Sequence, residues 1–213
     1  MADIAVPVAR SPIHPVGGAM VVDGWERALG VPRAGLRLCD LSFLAKVQVR
    51  ASRASGIAGR LGTGFGRAVR GADARQLVIG SGPDEWLVLA PQGQGPQLTD
   101  ELEGRLAGAD GLVSVVDLTH GRALIRLTGD EGVRGVLSKQ CAIDFADKVV
   151  PNGTSLRSTV ASLTTDVIRD DVGDERSYLL HCERSSGQYL FDALVDAGGG
   201  DGLVTYGATE EDW

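Results

Sequence analysis

The side chains of this 213-residue chain that could do acid–base, nucleophilic or metal chemistry are few and scattered. His14, His120 and His181 lie far apart, and no HxxxH or HxH spacing marks a metal site. His120 reads as a loop histidine bonded to backbone, and His181, between Leu180 and Cys182, as a structural mid-strand residue. Cys39, Cys141 and Cys182 are too few and too scattered for a disulfide framework or a CxxC knuckle, and they suit a cytoplasmic setting. Cys141 sits near Lys139, whose charge would favour a thiolate. It also continues the apolar stripe of Val133 and Leu137, where a free cysteine acts as a small hydrophobe, and that reading is preferred. Asp166 interrupts the face made by Val160 and Ile168. Turned inward, its carboxylate needs a partner or a ligand; turned outward, it is a solvated edge-strand residue, the plainer reading. Asp170 and Asp171 occupy a hairpin turn where acidic residues are ordinary. The run Gly59 to Gly66 fails the dinucleotide fingerprint, because Arg67 stands where the third glycine is required. The residues therefore point to no catalytic, cofactor-binding or metal-binding set in this chain.

Composition narrows the classes further. With 43% hydrophobic and 23% charged residues, the chain can bury a sizeable core. Twenty-one basic against 28 acidic residues leave a formal charge of −7, which speaks against nucleic acid as the main partner. No apolar run approaches the roughly 20 residues that cross a bilayer. The opening MADIAVPVARSP lacks the basic-then-apolar order of a secretory signal.

An internal repeat supplies the elements that would position these side chains. Asp40-Leu41-Ser42 recurs as Asp117-Leu118-Thr119, each before a strand of period two. In the first strand, Val47 and Val49 oppose Lys46, Gln48 and Arg50; in the second, Ala123, Ile125 and Leu127 oppose Arg126. A helical stripe follows each: Ile57, Leu61, Phe65 and Val69, then Val133, Val136, Leu137 and Cys141. Hairpins come next, around Ser81-Gly82-Pro83-Asp84 in one copy and Asp171-Val172-Gly173-Asp174 in the other, the latter after a strand expected from Val160 to Arg169. A helix through Leu98, Leu102 and Leu106, or through Leu190, Phe191, Leu194 and Val195, leads to the matched Asp110-Gly111-Leu112-Val113 and Asp201-Gly202-Leu203-Val204.

The order strand, helix, strand, strand, helix, strand predicts an α+β fold of two tandem ferredoxin-like (βαββαβ) units with antiparallel sheets. Residues 36–117 form the first unit and 117–206 the second, in one compact folding unit. Residues 1–35 are read as an N-terminal extension with a short helix near Val22 to Leu29, and 207–213 as a solvated acidic tail. The strand from Trp86 to Ala90 is apolar on both sides and so is expected to be buried on both. Packing of the two halves on each other is the preferred explanation for Trp86. The alternative is a partner chain, and apolar area left for neighbouring polypeptides is expected.

These segments resemble the gamma-subunit family of heterotetrameric sarcosine oxidases, within the aminomethyltransferase-like, folate-binding superfamily of the glycine cleavage T-protein. The resemblance runs from Ser11-Pro12 to about Ala197. It is carried by Gly82-Pro83-Asp84-Glu85-Trp86-Leu87, Val116-Asp117-Leu118-Thr119, Leu137-Ser138-Lys139-Gln140-Cys141-Ala142-Ile143-Asp144 and Arg184-Ser185-Ser186-Gly187-Gln188-Tyr189-Leu190. It implies a cytoplasmic, non-catalytic subunit of an oxidase that demethylates sarcosine to glycine with formation of hydrogen peroxide. In such a complex FAD belongs to the beta subunit and FMN lies between alpha and beta. NAD and tetrahydrofolate belong to alpha, and zinc to a small delta subunit. Two departures stand out: the acidic pair that contacts folate in relatives is missing between Gln76 and Ala90, and Lys139-Gln140-Cys141-Ala142 lacks the glycines of the iron–sulfur repair branch. The alternative within the superfamily is a free-standing one-carbon protein in which Asp166 or Asp117 would meet a pterin.

Overall fold

The computed structural model describes residues 7–30, 34–72, 74–209 and 212–213. Three short strands open it: β1 (Ala9–Arg10), β2 (Ala19–Val22) and β3 (Trp25–Ala28), paired in the order β1-β3-β2. The helix expected near Val22 to Leu29 is therefore a hairpin. Asp23 and Gly24, at φ 47° and 78°, make the two-residue turn that an Asp-Gly pair favours, and this local chemistry outweighs the helical spacing. Residues 1–6, which carry part of the N-terminal reading, lie outside the described residues.

After β4 (Arg37–Asp40), the first copy runs β5 (Ala45–Ala51), α1 (Ile57–Leu61), β6 (Ala68–Arg70), β7 (Leu77–Gly82), β8 (Glu85–Ala90), α2 (Gly95–Leu106) and β9 (Val113–Asp117). The second runs β10 (Arg122–Gly129), α3 (Gly132–Gln140), β11 (Ser155–Val160), β12 (Leu163–Arg169), β13 (Arg176–Glu183), α4 (Gly187–Gly198) and β14 (Val204–Tyr206). Each copy thus has seven elements where six were expected. The additional strands are β6 and β11. Gly62, at φ 80°, stops α1 after Leu61, so Phe65 and Val69 leave the predicted stripe and are exposed. Ala161 and Ser162, at φ 48° and 66°, split the expected strand from Val160 into the hairpin β11–β12.

The sheets order as β6-β7-β8-β5-β9 and β11-β12-β13-β10-β4-β14. Strand β4, at the head of the unit expected over residues 36–117, pairs instead with β10 of the second, while β9 closes the first sheet beside β5. The matched DGLV segments therefore lead to different places: β9 lies antiparallel beside its own first strand, β14 parallel beside the inserted β4. The two Asp-Leu-Ser/Thr motifs are equivalent in detail. Asp40 accepts from the Ser42 amide and Asp117 from the Thr119 amide, each at 2.8 Å. The Ser42 hydroxyl then accepts from the amide of Leu124, and the Thr119 hydroxyl from that of Lys46.

Helices α1 and α2 cover the outer face of the first sheet, where Val47, Val49, Trp86 and Val88 meet Ile57, Leu98 and Leu102. Helices α3 and α4 cover the outer face of the second through Ile125, Val136 and Leu190. Between the sheets lies a third core of Cys39, Leu77, Ile79, Leu87, Leu89, Leu124, Ile168 and Leu179. The free sheet faces thus hide one another, correcting the expectation that neighbouring polypeptides must do so. Among the described residues, Leu112, Phe65, Val21 and Tyr189 are the most exposed large apolar side chains. The acidic tail also departs from expectation, since Asp212 accepts from the Tyr206 hydroxyl and the Trp213 ring lies under Arg70. Glu210 and Glu211 are outside the described residues.

Two glycines are demanded by close approach of backbone: Gly207, where an added methyl would fall on the Ala28 carbonyl, and Gly80. A methyl on Gly80 would drive into the Gly64 carbonyl, whose loop crosses β7 backbone to backbone. Gly80→Ala is expected to cost about 2 kcal/mol in chemical denaturation of the full chain, since neither backbone can yield cheaply.

Candidate functional site

Alternation along the strands decides what enters the space between the sheets. On β5 the inward residues are Lys46, Gln48 and Arg50; on β10 they are Arg122, Leu124, Arg126 and Thr128. The polar faces read from the sequence are therefore only partly open to water: Lys46 and Arg126 are buried, Gln48 and Arg122 half-buried, and Arg50 exposed. They line the seam, polar at both ends with the apolar core between them.

At one end, Arg126 is 2% exposed and donates to Asp170, to its carbonyl and to Ser177. Arg70 of the first half grips the same Asp170 carboxylate at 2.6 and 2.9 Å. Asp170 is thus a cross-half anchor, while Asp171 pairs with Arg169.

At the other end a cavity of about 180 Å³ opens between the sheets, lined by residues of both halves. Arg157, Asp166 and His181 lie side by side on β11, β12 and β13, because the register pairs Arg157 with Asp166 and Asp166 with His181. Asp166 accepts from Arg157 at 2.6 Å and meets the His181 Nδ1 at 3.0 Å. Arg157 also reaches Glu85 of the first half at 2.7 Å, and Glu85 holds Arg50 at 2.9 Å. Burial by itself would raise the Asp166 carboxyl; the bonds from His181 and Arg157 outweigh it and hold the carboxyl below its ordinary range. An ionised carboxylate only accepts, so His181 Nδ1 carries the proton and Nε2 is the lone-pair nitrogen. Burial lowers the His181 pKa more than Asp166 raises it, which keeps the ring neutral.

Asp166 is thus inward and partnered rather than solvated, and His181 belongs to its site. Asp117 does not: it is exposed at the end of β9. His120 stacks on Trp25 at 4.9 Å, and the amide of His14 donates to Gln188. Cys141 is buried in the core under α3, while Lys139 pairs with Asp201 instead. Cys39 and Cys182 are buried as well, their thiols pushed up to about 12 and about 11 by loss of solvation. Trp86 is 1% exposed on the helix side, its ring nitrogen donating to the Thr63 carbonyl. Glu85, Arg157, Arg126 and Lys46 were not singled out from the sequence. Their signal was present only as charges within otherwise apolar strands. Lys46 is the extreme case. It is fully buried, it occupies the position of Leu124 in the other copy, and its ammonium donates to the Ser42 and Leu44 carbonyls at 2.6 Å each.

The β7–β8 hairpin has Asp84 and Glu85 as its acids, and Glu85 is already bound by Arg50 and Arg157. Among the described residues no cluster of three histidines, cysteines or acids is placed to hold a metal, and no helix is long and apolar enough to cross a membrane.

Two solved structures share this architecture. Heterotetrameric sarcosine oxidase from Corynebacterium sp. U-96 matches with a TM-score of 0.66 at 22% identity, over 80% of this chain and 88% of that one. The glycine cleavage aminomethyltransferase T of Bartonella henselae matches at 0.65 and 17% identity, over 89% of this chain and 55% of that one. The fold is accordingly the α+β architecture shared with the sarcosine oxidase chain and with aminomethyltransferase T. A model of the sarcosine oxidase gamma subunit family matches residues 65–200. Sarcosine oxidase subunit gamma of Arthrobacter sp is 31% identical over 197 residues, covering 88% of this chain and 90% of the relative. That of Corynebacterium sp. (strain P-1) is 29% identical, covering 89% and 90%. The chain belongs to the sarcosine oxidase gamma subunit family.

Proposed function

We propose that this chain is a non-catalytic, cytoplasmic scaffold subunit, assembled with alpha, beta and delta subunits into a heterotetrameric sarcosine oxidase. FAD, FMN, NAD, tetrahydrofolate and zinc are then held by those other subunits. The observation that carries this reading is the commitment of the buried acids. Asp166, Glu85 and Asp170 are all paired with guanidinium or imidazole groups of the same chain, and two of these pairs, Arg70–Asp170 and Arg157–Glu85, run across the seam. Such groups fasten two halves together. Exposed apolar side chains such as Leu112 and Phe65 offer material for contact with larger neighbours.

The test is coexpression with alpha, beta and delta chains of a sarcosine oxidase. The full chain alone is expected to be colourless and to release no peroxide from sarcosine, while its omission from the coexpressed set lowers yield or activity at least several-fold. Turnover by the isolated chain would overturn the reading. So would saturable micromolar binding of tetrahydrofolate by calorimetry, which would favour a one-carbon protein instead.

A further inference from the structure

The seam cavity contains one polar atom that its surroundings leave unanswered. His181 is 6% exposed, its Nδ1 is used by Asp166, and its Nε2 is buried with no hydrogen-bond partner among the described residues. A buried acceptor without a donor is costly, so a site that keeps one has room for a molecule that supplies it. Here the His181 side chain lines a space of about 180 Å³, roughly the volume of six waters.

The neighbouring charges define what else the molecule must carry. Arg122 lines the same cavity diagonally across the β10–β13 ladder from His181, since Arg122 pairs with Glu183 and Leu124 with His181. The Arg122 side chain is 23% exposed, but its one carboxylate partner among the described residues, Glu183, is 64% exposed. An ion pair with so exposed a partner is weak and readily exchanged. Arg157 and Arg50, in contrast, are tied to Asp166 and Glu85. The cavity therefore presents one exchangeable guanidinium beside one unanswered lone pair.

We propose that the seam cavity binds a small carboxylate with a hydrogen-bond donor on the adjacent carbon, an α-hydroxy or α-amino acid of two or three carbons. Its carboxylate replaces Glu183 on Arg122, and its hydroxyl or ammonium donates to His181 Nε2. The site draws on both halves but does not depend on the chain's role in an oxidase.

Three probes with the same three-carbon skeleton test it on the full chain at pH 7.5: lactate, alanine and propionate. Binding is followed by NMR of the three histidine rings, in which His181 is the reporter, and by calorimetry for all variants, which serves His181→Leu. Lactate or alanine is expected to shift the His181 ring saturably, with a Kd of a few millimolar or tighter. Propionate, which lacks the donor, is expected to bind at least tenfold more weakly. The better of the first two tells whether the donor is a hydroxyl or an ammonium. Arg122→Met and His181→Leu are each expected to weaken binding at least tenfold, with the circular dichroism of the variants checking their fold. Equal affinity for propionate and lactate would overturn the role of His181. No saturable shift with any of the three would overturn the site and leave a water-filled cavity. Because these readouts are made without sarcosine turnover, their failure leaves the scaffold reading standing.

Discussion

Replacing Asp166 with leucine is expected to remove about 3 kcal/mol of stability, one of the largest losses available from a single polar side chain of this protein. The substitution deletes the acceptor of two donors at once: His181 loses its Nδ1 partner, and Arg157 keeps only Glu85. Both donors remain in a partly dry seam, where an unpaired polar group costs far more than a made bond returns. For a chain of this length the loss corresponds to a melting temperature roughly 6–12 °C lower. Asp166→Asn, which preserves volume and one acceptor, is expected to lose less than half as much. The pH dependence carries the same signature. A carboxyl held below its ordinary value of 3.8 contributes stability that is present above that value and disappears as pH falls through the folded pKa. The difference between wild type and Asp166→Leu should accordingly be constant from pH 5 to 8 and shrink toward pH 3. A leucine variant within 1 kcal/mol of wild type would show that the row does not fasten the halves.

The Lys46→Met substitution is expected to act in the opposite direction. Burial lowers the Lys46 pKa to about 7 from 10.5, with Asp40 and Asp117 opposing the shift. Between those values the unfolded chain binds a proton that the folded chain does not, so stability rises with pH. Below about pH 7 the full penalty of a buried ammonium is in force. Methionine fills a similar volume, and the pseudo-equivalent residue in the other half, Leu124, is apolar already. The variant is therefore expected to be about 2 kcal/mol more stable at pH 6.5, net of the donor lost by the Ser42 and Leu44 carbonyls. Wild type should recover about 1–2 kcal/mol of that difference between pH 7 and 8.5. Above pH 9 the comparison becomes unfavourable for another reason. Cys39 and Cys182 resist ionisation when folded, so both proteins lose stability there. Urea titrations of both proteins at pH 6.5 and 8.5 provide the check, and a pH-independent difference would rule out titration of Lys46 in this window.

The residues of the duplication were legible because each rests on local chemistry. Period-two strands, the Asp-Leu-Ser and Asp-Leu-Thr turns, and Gly111 and Gly202 at φ 83° and 78° behind α2 and α4 are all written within a few positions of one another. The Asp23-Gly24 hairpin was equally local, and the helical spacing of Val22 to Leu29 obscured it. Three cysteines without a framework and acids set in turns were similarly informative from their neighbours.

What no single stretch encoded is which side of each strand is wet. Alternation tells that Lys46, Gln48 and Arg50 share a face, but a face becomes interior only when a second sheet closes over it. The exchange of β4 into the second sheet brings that closure about. It places Glu85 against Arg157 across 72 positions and Arg70 against Asp170 across 100. Charge pairs at such separations leave no periodic trace, because their partners are chosen by the packing of two sheets and not by the spacing along either chain segment. The sequence by itself therefore determined the two copies, their strands and the family they resemble. The tertiary structure alone decided that the polar faces meet in a seam, and that the Nε2 of one buried imidazole there lacks a partner among the described residues.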